Sequence, residues 1–188
     1  LIADEVDRYG LSAGVEGSPI DLAEKRQSTF WNKKTLKISS PSVAGFSYIW
    51  QQLEESSHAE WHVECPKCSR AQVLTWSQLR FDKSPVTHKC KFCNRLSTES
   101  RWKAQPGHWR HRNPDRRAKR GYHLSALASP WVSWGELVTE WKTANANPEG
   151  QLRRNALQVF INTRLSECWE EHVAQYDTDK LRNRREYY

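Results

Sequence analysis

The feature that most restricts how this chain folds is a doubled cysteine motif. Cys65 and Cys68 form one C-x-x-C pair, and Cys90 and Cys93 form a second after 21 intervening residues. This spacing lies just outside the C-x-x-C, 15–20 residues, C-x-x-C pattern typical of zinc sites. Four thiolates complete a tetrahedral shell and leave no position for water, so we predict a structural Zn²⁺ rather than a catalytic one. Cys168 stands apart, and we expect it to be a small buried hydrophobe.

Redox-active pairs and unligated thiols remain as other interpretations of the same cysteines. The surrounding sequence favours the metal, because short alternating strands flank each pair and place it on a turn. A small β region with little core of its own is of the kind that metal binding stabilises. We therefore predict a zinc-ribbon-like insertion over residues 59–100. His58, His62 and His88 lie nearby, but a four-cysteine site does not need them.

The composition indicates the class of partner. Lys and Arg outnumber Asp and Glu by 29 to 22, and the pI is about 9.3. A basic excess favours polyanionic partners, because binding to phosphates releases counterions. No apolar stretch is long enough to cross a bilayer, and we expect no membrane partner. The chain contains no methionine, and we expect it to be a fragment of a longer protein.

Residues 1–58 have a strand–helix–strand–helix pattern. We predict strands over LIADE and TLKIS, a helix that begins at Ser18-Pro19, and another over FSYIWQQLEES. Such a pattern is typical of a parallel sheet, in which ligands lie beyond the carboxyl ends of the strands. The residues expected on that edge are Asp4, Glu5, Ser39, Ser40 and Ser42.

An apolar strand that ends in two acids resembles the Walker B strand of P-loop ATPases. On this interpretation one carboxylate holds Mg²⁺ and the next polarises the water that attacks the γ-phosphate of ATP. The alternative is a strand that ends in a solvated acidic turn. The phosphate-binding G-x-x-x-x-G-K-[ST] motif is absent from the 188 residues. If the ATPase interpretation holds, we expect that loop upstream of Leu1 and no ATP hydrolysis by the fragment alone.

The remainder divides into three predicted segments. Residues 101–120 are rich in arginine and tryptophan and are predicted to form an exposed basic linker, which either grips phosphates and stacks bases or is simply solvated. Residues 121–175 form an aromatic and helical segment, with helices over GELVTEWKTA and PEGQLRRNALQVFINTRL. Residues 176–188 form a charged tail. The candidate DNA-binding residues of the linker are Arg110, Arg112, Arg116, Arg117 and Arg120.

Taken in order, these motifs resemble the large terminase subunit of tailed bacteriophages, GpA type. The resemblance extends to about residue 175 and departs from the family where Ser-Ser-Pro-Ser stands in place of Ser-Thr-Pro-Thr. The motifs that carry it are DEVDRY from Asp4, EGSP from Glu16, AEKR from Ala23, SSPS from Ser39, both cysteine pairs, GYHLSAL from Gly121 and FINTRLSECWEE from Phe160.

The resemblance implies a DNA-packaging motor that uses ATP with Mg²⁺ and, in its nuclease part, cuts concatemeric DNA. It implies the C-terminal part of a P-loop, ASCE-type parallel-sheet ATPase domain, followed by the zinc insertion and a segment leading to the nuclease domain. By motif match, Asp4 would hold Mg²⁺, Glu5 would activate water, and Arg26 would face a phosphate or pair with an acid. The same match gives Ser39, Ser40 and Ser42 the role of coupling hydrolysis to movement.

The partners that the resemblance implies are double-stranded DNA, the small terminase subunit, the portal of the procapsid and further copies of the motor subunit. The implied location is the host cytoplasm, with transient docking on the procapsid. A second hypothesis needs less of the sequence. A non-enzymatic zinc-ribbon module, which binds nucleic acid or acts as an adaptor, requires only the four cysteines and the basic linker.

Overall fold

The computed structural model describes residues 1–10, 12–148 and 150–171, so the predicted charged tail at 176–188 lies outside it. The described chain is a mixed α/β structure with small parallel and antiparallel sheets. The strands are β1 Ile2–Asp4, β2 Leu36–Ile38, β3 Ala59–Glu64, β4 Ala71–Gln72, β5 Leu79–Arg80, β6 Thr87–Lys89, β7 Leu96–Thr98, β8 Gly107–His111 and β9 Tyr122–His123. The helices are α1 Pro19–Lys25, α2 Tyr48–Glu54, α3 Glu99–Lys103, α4 Trp134–Ala146 and α5 Gln151–Phe160.

The first part of the chain, residues 1–58, is here called the edge region. Strands β1 and β2 pair in parallel, with Asp4 opposite Ile38, which confirms the predicted parallel arrangement. The Ser18 hydroxyl accepts a hydrogen bond from the Asp21 N–H at the start of α1, as the sequence indicates. The helix ends at Lys25, before the aromatic pair at 30–31 that the sequence pattern had included.

Packing in the edge region is sparse. Ala3, Val6 and Ile20 are its buried cluster, with parts of Tyr48 and Ile49 packed against them. Lys37 adds a polar connection between β2 and both helices, because its ammonium contacts Glu24 at 2.9 Å, the Tyr48 hydroxyl at 2.7 Å and Gln52 at 3.2 Å. Burial lowers the pKa of Lys37, but the hydrogen bonds to Tyr48 and Glu24 outweigh that effect and raise it overall. Lys37 therefore remains charged when it is partly enclosed.

Residues 59–100, here called the cysteine region, contain strands of two sheets. One is mixed, because β3 pairs antiparallel with β4 and β8 but parallel with β9, and the other is antiparallel. Strand β3 pairs with β4, β8 and β9, and β5–β6–β7 form a separate sheet. The two sheets belong to one large buried cluster that also includes Trp102, Trp134, Leu137 and Phe160. The helices α3, α4 and α5 supply apolar side chains that the local sequence lacks, so this region shares its core with them.

The predicted basic linker is also more ordered than expected. Its first residues lie in α3, and residues 107–111 form β8, which pairs with β3 over five residue pairs from Ala59↔His111 to Val63↔Gly107. The charges concealed this strand in the sequence, since an edge strand needs only one face against the core and carries cations well on the other. Trp109 packs edge-on against Trp61 and Tyr122, at centroid distances of 5.2 and 5.0 Å.

The helices near the end of the described chain follow the sequence prediction with one difference. Helix α4 begins with a capping box in which Ser133 and Glu136 bond each other's backbone N–H groups. In α5 the predicted apolar face is only partly buried, because Phe160 is 4% exposed whereas Leu152 and Val159 are 67% and 60% exposed. Among the described residues, the helices are too short and too polar for a bilayer-spanning segment.

Candidate nucleotide edge and metal centre

Two carboxylates lie at the carboxyl end of β1. Asp4 and Glu5 are both exposed, so each can reach a bound cation or water. The Asp4 carboxylate accepts a hydrogen bond from the Glu5 N–H at 3.0 Å. Glu5 has left-handed backbone geometry, with φ of 55°, which is unusual for this residue type and turns the chain sharply out of the strand. Its ion pair with Arg8, at 3.9 Å, is exposed and therefore weak.

The three serines that follow β2 lie at the same edge, but only one has an unengaged hydroxyl. The Ser39 hydroxyl accepts from the Asp7 N–H at 3.2 Å and donates to the Ser40 carbonyl at 2.9 Å. The Ser42 hydroxyl donates to the Asp7 carboxylate at 2.8 Å. Within the described residues, the Ser40 hydroxyl has no hydrogen-bond partner. Ser40 is consequently the serine best placed to bond a ligand without breaking an existing contact.

Asp7 is the residue that sequence reasoning missed. One carboxylate oxygen accepts from both the N–H and the hydroxyl of Ser42, each at 2.8 Å, and the other accepts from the Ile49 N–H at 2.7 Å. Asp7 thus joins the turn after β1 to the serine loop and to the first turn of α2. Its position three residues beyond Asp4 was visible in the sequence, but spacing alone gave no sign of these distant partners.

The serine loop has a second attachment, on its other side. Val43 forms a parallel bridge with Trp169, in which the Ala44 N–H donates to the Trp169 carbonyl and the Trp169 N–H donates to the Ser42 carbonyl, both at 2.9 Å. Trp169 follows α5 and its π-helical extension Ile161–Leu165. Cys168, beside it, is only partly buried, and burial raises the pKa of its thiol. The last described segment is therefore bonded directly to the loop that follows β2.

Arg26, the remaining predicted phosphate contact, is not connected to this edge. It caps the C-terminal end of α1, where its N–H donates to the Leu22 carbonyl, and it is exposed. Within the described part of the chain, its side chain makes no ion pair and no hydrogen bond. The structure brings together the acids and the serines but leaves the role of Arg26 as a prediction.

The four paired cysteines converge. Their sulfur atoms all lie within 4.8 Å of one another, and two of the distances, Cys65 to Cys93 and Cys68 to Cys90, are 3.8 Å. A tetrahedron with Zn–S bonds of about 2.3 Å has sulfur–sulfur edges of about 3.8 Å. Since these distances match, the four thiolates fit a Zn²⁺ ion.

The two cysteine turns repeat the same backbone structure. In the first, the Lys67 N–H donates to the Cys65 sulfur and the Ser69 N–H to the Cys65 carbonyl. In the second, the Phe92 N–H donates to the Cys90 sulfur and the Asn94 N–H to the Cys90 carbonyl. The residue after the second cysteine of each turn has left-handed geometry, with φ of 55° at Ser69 and 58° at Asn94. Hydrogen bonds from N–H groups to sulfur stabilise the thiolate form that a metal requires.

The electrostatics of the cluster require a cation if all four groups are to ionise. Burial raises the pKa of the Cys65 thiol, whereas the backbone N–H of Arg95 lowers that of Cys93. Without a cation, burial therefore favours the protonated form of Cys65. A bound Zn²⁺ would reverse this preference, because its charge deprotonates coordinating thiols. Zinc binding at this site should accordingly release protons.

The candidate DNA-binding arginines fall into two groups. Arg112 forms two hydrogen bonds with Glu60, at 3.0 and 2.6 Å, and Arg116 donates to the Glu54 carbonyl at 2.6 Å. These two side chains make contacts within the protein. The other three are exposed and have no ion pair or side-chain hydrogen bond to any described residue: Arg110, Arg117 and Arg120. Only this second group is available to a partner.

Two protein-family models match the chain, one in its first part and one in its last part. A family model described as "Phage terminase large subunit gpA, ATPase domain" matches residues 1–109. A second, "Terminase large subunit gpA, endonuclease domain", matches residues 119–188. The acids, the serines and all four metal-site cysteines lie in the first match, and Trp169 lies in the second. No solved structure matches the chain significantly.

Two curated relatives carry the same description. The "Terminase, large subunit" of Enterobacteria phage P21 is 26% identical and covers 92% of this chain, and that of Escherichia phage lambda is 25% identical and covers 98%. The chain spans about a third of their lengths, 30% and 32% respectively. Because the ATPase-domain model matches 109 of the 188 residues, the chain belongs to the gpA family of phage terminase large subunits.

Proposed function

We propose that this chain is part of an ATP-driven motor that packages double-stranded DNA into a procapsid and, through its nuclease part, cuts concatemeric DNA. The observation that carries the proposal is the parallel pairing of β1 with β2. It places Asp4 and Glu5 beside the serine loop, within the residues that match the ATPase-domain model. Ligands of parallel sheets bind at this edge.

In the proposed mechanism Asp4 would hold the Mg²⁺ of Mg-ATP, directly or through a water ligand. A bound Mg²⁺ would neutralise the negative charge that develops on the transferred phosphoryl group. Glu5 orients and polarises the attacking water. Ser40 bonds the γ-phosphate side of the nucleotide, since its hydroxyl is unengaged. Asp7 and the other two serines hold the loop in place.

The finer fold proposal is a P-loop, ASCE-type parallel sheet to which β1 and β2 belong. Parallel sheets are normally covered on both faces. One face of the β1–β2 pair packs on Val6 and Ile20, but the other exposes Ile2, Leu36 and Ile38 by 74%, 52% and 48%. This apolar face supports the presence of further structure against the sheet in the functional protein.

The decisive experiment replaces Glu5 by Gln in the ATP-hydrolysing protein that contains this chain. Binding of Mg-ATP should persist, while hydrolysis falls by about 10²-fold or more, because the amide cannot polarise water as the carboxylate does. Asp21→Asn, which removes an exposed carboxylate elsewhere in the edge region, is the matched control and should leave both unchanged. Normal turnover in the Glu5 variant would refute the assignment.

We propose that DNA binds along the exposed cations Arg110, Arg117 and Arg120. Replacing all three by Gln should weaken DNA binding equally for all sequences and reduce the salt dependence of log K by up to about 3 units, one for each lost phosphate contact. The exposed cations Lys25, Lys33 and Lys34 of the edge region, replaced together by Gln, form the matched control. An unchanged salt dependence in the arginine variant would contradict this contact surface.

The four-thiolate site is proposed to hold one structural Zn²⁺ per chain. The small terminase subunit, the procapsid portal and further copies of the motor subunit are proposed partners on family membership alone. The host cytoplasm, with transient docking on the procapsid, is the proposed location. Elemental analysis of the purified chain tests the metal, and zinc well below one equivalent would refute that part of the proposal.

A second candidate function is a zinc-ribbon nucleic-acid or adaptor module without ATPase activity. The observation that favours it is the coexistence of a complete metal site and three unengaged arginines. The two proposals differ in one measurement. If the protein that contains this chain binds DNA but neither binds nor hydrolyses ATP, the adaptor proposal replaces the motor.

A further inference from the structure

The serine loop, residues 39–44, is held from two sides by different parts of the chain. On one side the Asp7 carboxylate accepts from the Ser42 N–H and hydroxyl. On the other side, the bridge to Trp169 uses the Ser42 carbonyl and the Ala44 N–H. The backbone of Ser42 thus receives one contact from the turn beside the acidic pair and one from the segment that matches the endonuclease-domain model.

We infer that Asp7 is a positioning residue and that the Asp7–Ser42–Trp169 connection transmits displacement of the serine loop to the endonuclease-matched part of the chain. Both attachments meet at one residue, so the loop cannot shift along either direction without stretching a hydrogen bond of about 2.9 Å. Coupling of this kind requires an element on which both sites act, and residue 42 is hydrogen-bonded from both sides.

The receiving side of the connection is itself firmly attached. Ser166, three residues before Trp169 in the chain, has left-handed backbone geometry. Its hydroxyl donates to the Leu124 carbonyl at 3.0 Å, and its carbonyl lies 2.9 Å from the His123 ring nitrogen. His123 belongs to β9, which pairs with β3. A movement that reaches Trp169 is therefore passed on to the sheet next to the metal site and is not absorbed by a loose segment.

The coupling is tested first without any nucleotide, by amide hydrogen exchange in the chain as it stands. Asp7→Asn should speed exchange at Ser42 and Ile49, its direct partners, and also at Ala44 and Trp169, which it does not touch. We expect about tenfold at the distant pair, the loss expected from weakening of a hydrogen bond worth about 1.4 kcal/mol. Asp21→Asn is the matched control and should change none of these four amides.

The reciprocal variant distinguishes transmission from local damage, since a true coupling acts in both directions. Trp169→Pro removes the N–H that bonds the Ser42 carbonyl, and it should speed exchange at the Ser42 and Ile49 amides. Trp169→Ala removes the indole but keeps the N–H, so it should leave these two amides nearly unchanged. If Asp7→Asn does not fold, Ser42→Ala removes only the hydroxyl contact and takes its place.

The inference is overturned if each substitution affects only the amides that its own side chain or N–H contacts. If the Asp7 variant affects only Ser42 and Ile49 and the Trp169→Pro variant leaves those amides at their normal rates, residue 42 does not transmit displacement.

A nucleotide arm, which rests on the proposed function, uses the ATP-hydrolysing protein that contains this chain. Adding Mg-ATP should change exchange over both 39–46 and 165–171, and Trp169→Pro should abolish only the second change. Absence of nucleotide binding would refute the proposed function, while the nucleotide-free variants still decide the coupling. Binding that alters 39–46 alone in the unaltered protein would refute the coupling and leave the ATPase proposal intact.

Discussion

The edge region and the cysteine region are stabilised in opposite ways. The edge region buries three apolar residues in its own cluster and relies on polar contacts from Asp7 and Lys37. The cysteine region shares a cluster of twelve buried residues with the helices and has a site for a metal ion as well. Regions with few buried apolar contacts open more easily, and ligand-responsive loops belong to this class. The comparison indicates that the cysteine region is a rigid scaffold and that the edge region can respond to a ligand.

Metal removal should produce the largest difference between the two regions. Cys65→Ser leaves three of the four metal-site thiols, and chelation of zinc leaves all four without an ion. In both cases we expect a loss of unfolding free energy above about 4 kcal/mol, as for other losses of a structural metal. Hydrogen exchange should accelerate most over residues 61–100 and much less over 1–58. Cys168→Ser is the matched control, and an equal effect there would contradict the metal assignment.

The next effect tests how tightly the cysteine region is packed. A Cβ added at Gly107 would lie 2.4 Å from the Trp61 ring, which is itself held against Trp109. Gly107→Ala should therefore lower the unfolding free energy by about 1–3 kcal/mol in urea denaturation, as overpacking does. Gly135→Ala is the control, because an added Cβ there has only the Ser133 hydroxyl nearby, at 3.8 Å. Gly135→Ala should be neutral or slightly stabilising.

A smaller effect should come from the polar connection in the edge region. Lys37→Met keeps the apolar stem but removes the ammonium that joins Glu24, Tyr48 and Gln52. We expect a loss of about 1 kcal/mol, since the lysine is half-buried and its partners can reach water once it is gone. Lys33→Met, at an exposed position of the same region, should cost less than about 0.5 kcal/mol. Equal effects would show that the edge region does not depend on Lys37.

Ser40→Ala should have the smallest effect on stability, because its hydroxyl has no partner within the described residues. We expect a change in unfolding free energy within about 0.5 kcal/mol, whereas Ser42→Ala should cost about 1 kcal/mol through its lost bond to Asp7. ATP hydrolysis should show the reverse order, with the larger loss at Ser40. Calorimetry of this chain measures the first order, and a phosphate-release assay of the ATP-hydrolysing protein that contains it measures the second.

Local sequence predicted those features that depend on short spacings. The α1 start at Ser18-Pro19, the two cysteine turns and the strands that end near Asp4 and Ser39 all follow from residues close together in the chain. The predictions were less accurate where a strand with one buried face lies in a charged stretch of sequence. Strand β8 was predicted as part of a linker, because arginines dominate the composition of residues 101–120 while Gly107 and Trp109 make the contacts with β3 and its neighbours.

The sequence by itself determined the family resemblance, the four candidate metal ligands and the acidic and serine residues at one sheet edge. Only the tertiary structure decided that Asp7 holds the serine loop, that Ser40 alone among the three serines has an unengaged hydroxyl, and that Trp169 bridges the same loop. It also separated Arg112 and Arg116, which bond to the protein, from the three unengaged arginines. The physical reason is that helix caps and metal turns are set by neighbours along the chain, whereas hydrogen-bond partners are set by which distant segments the folded core brings together.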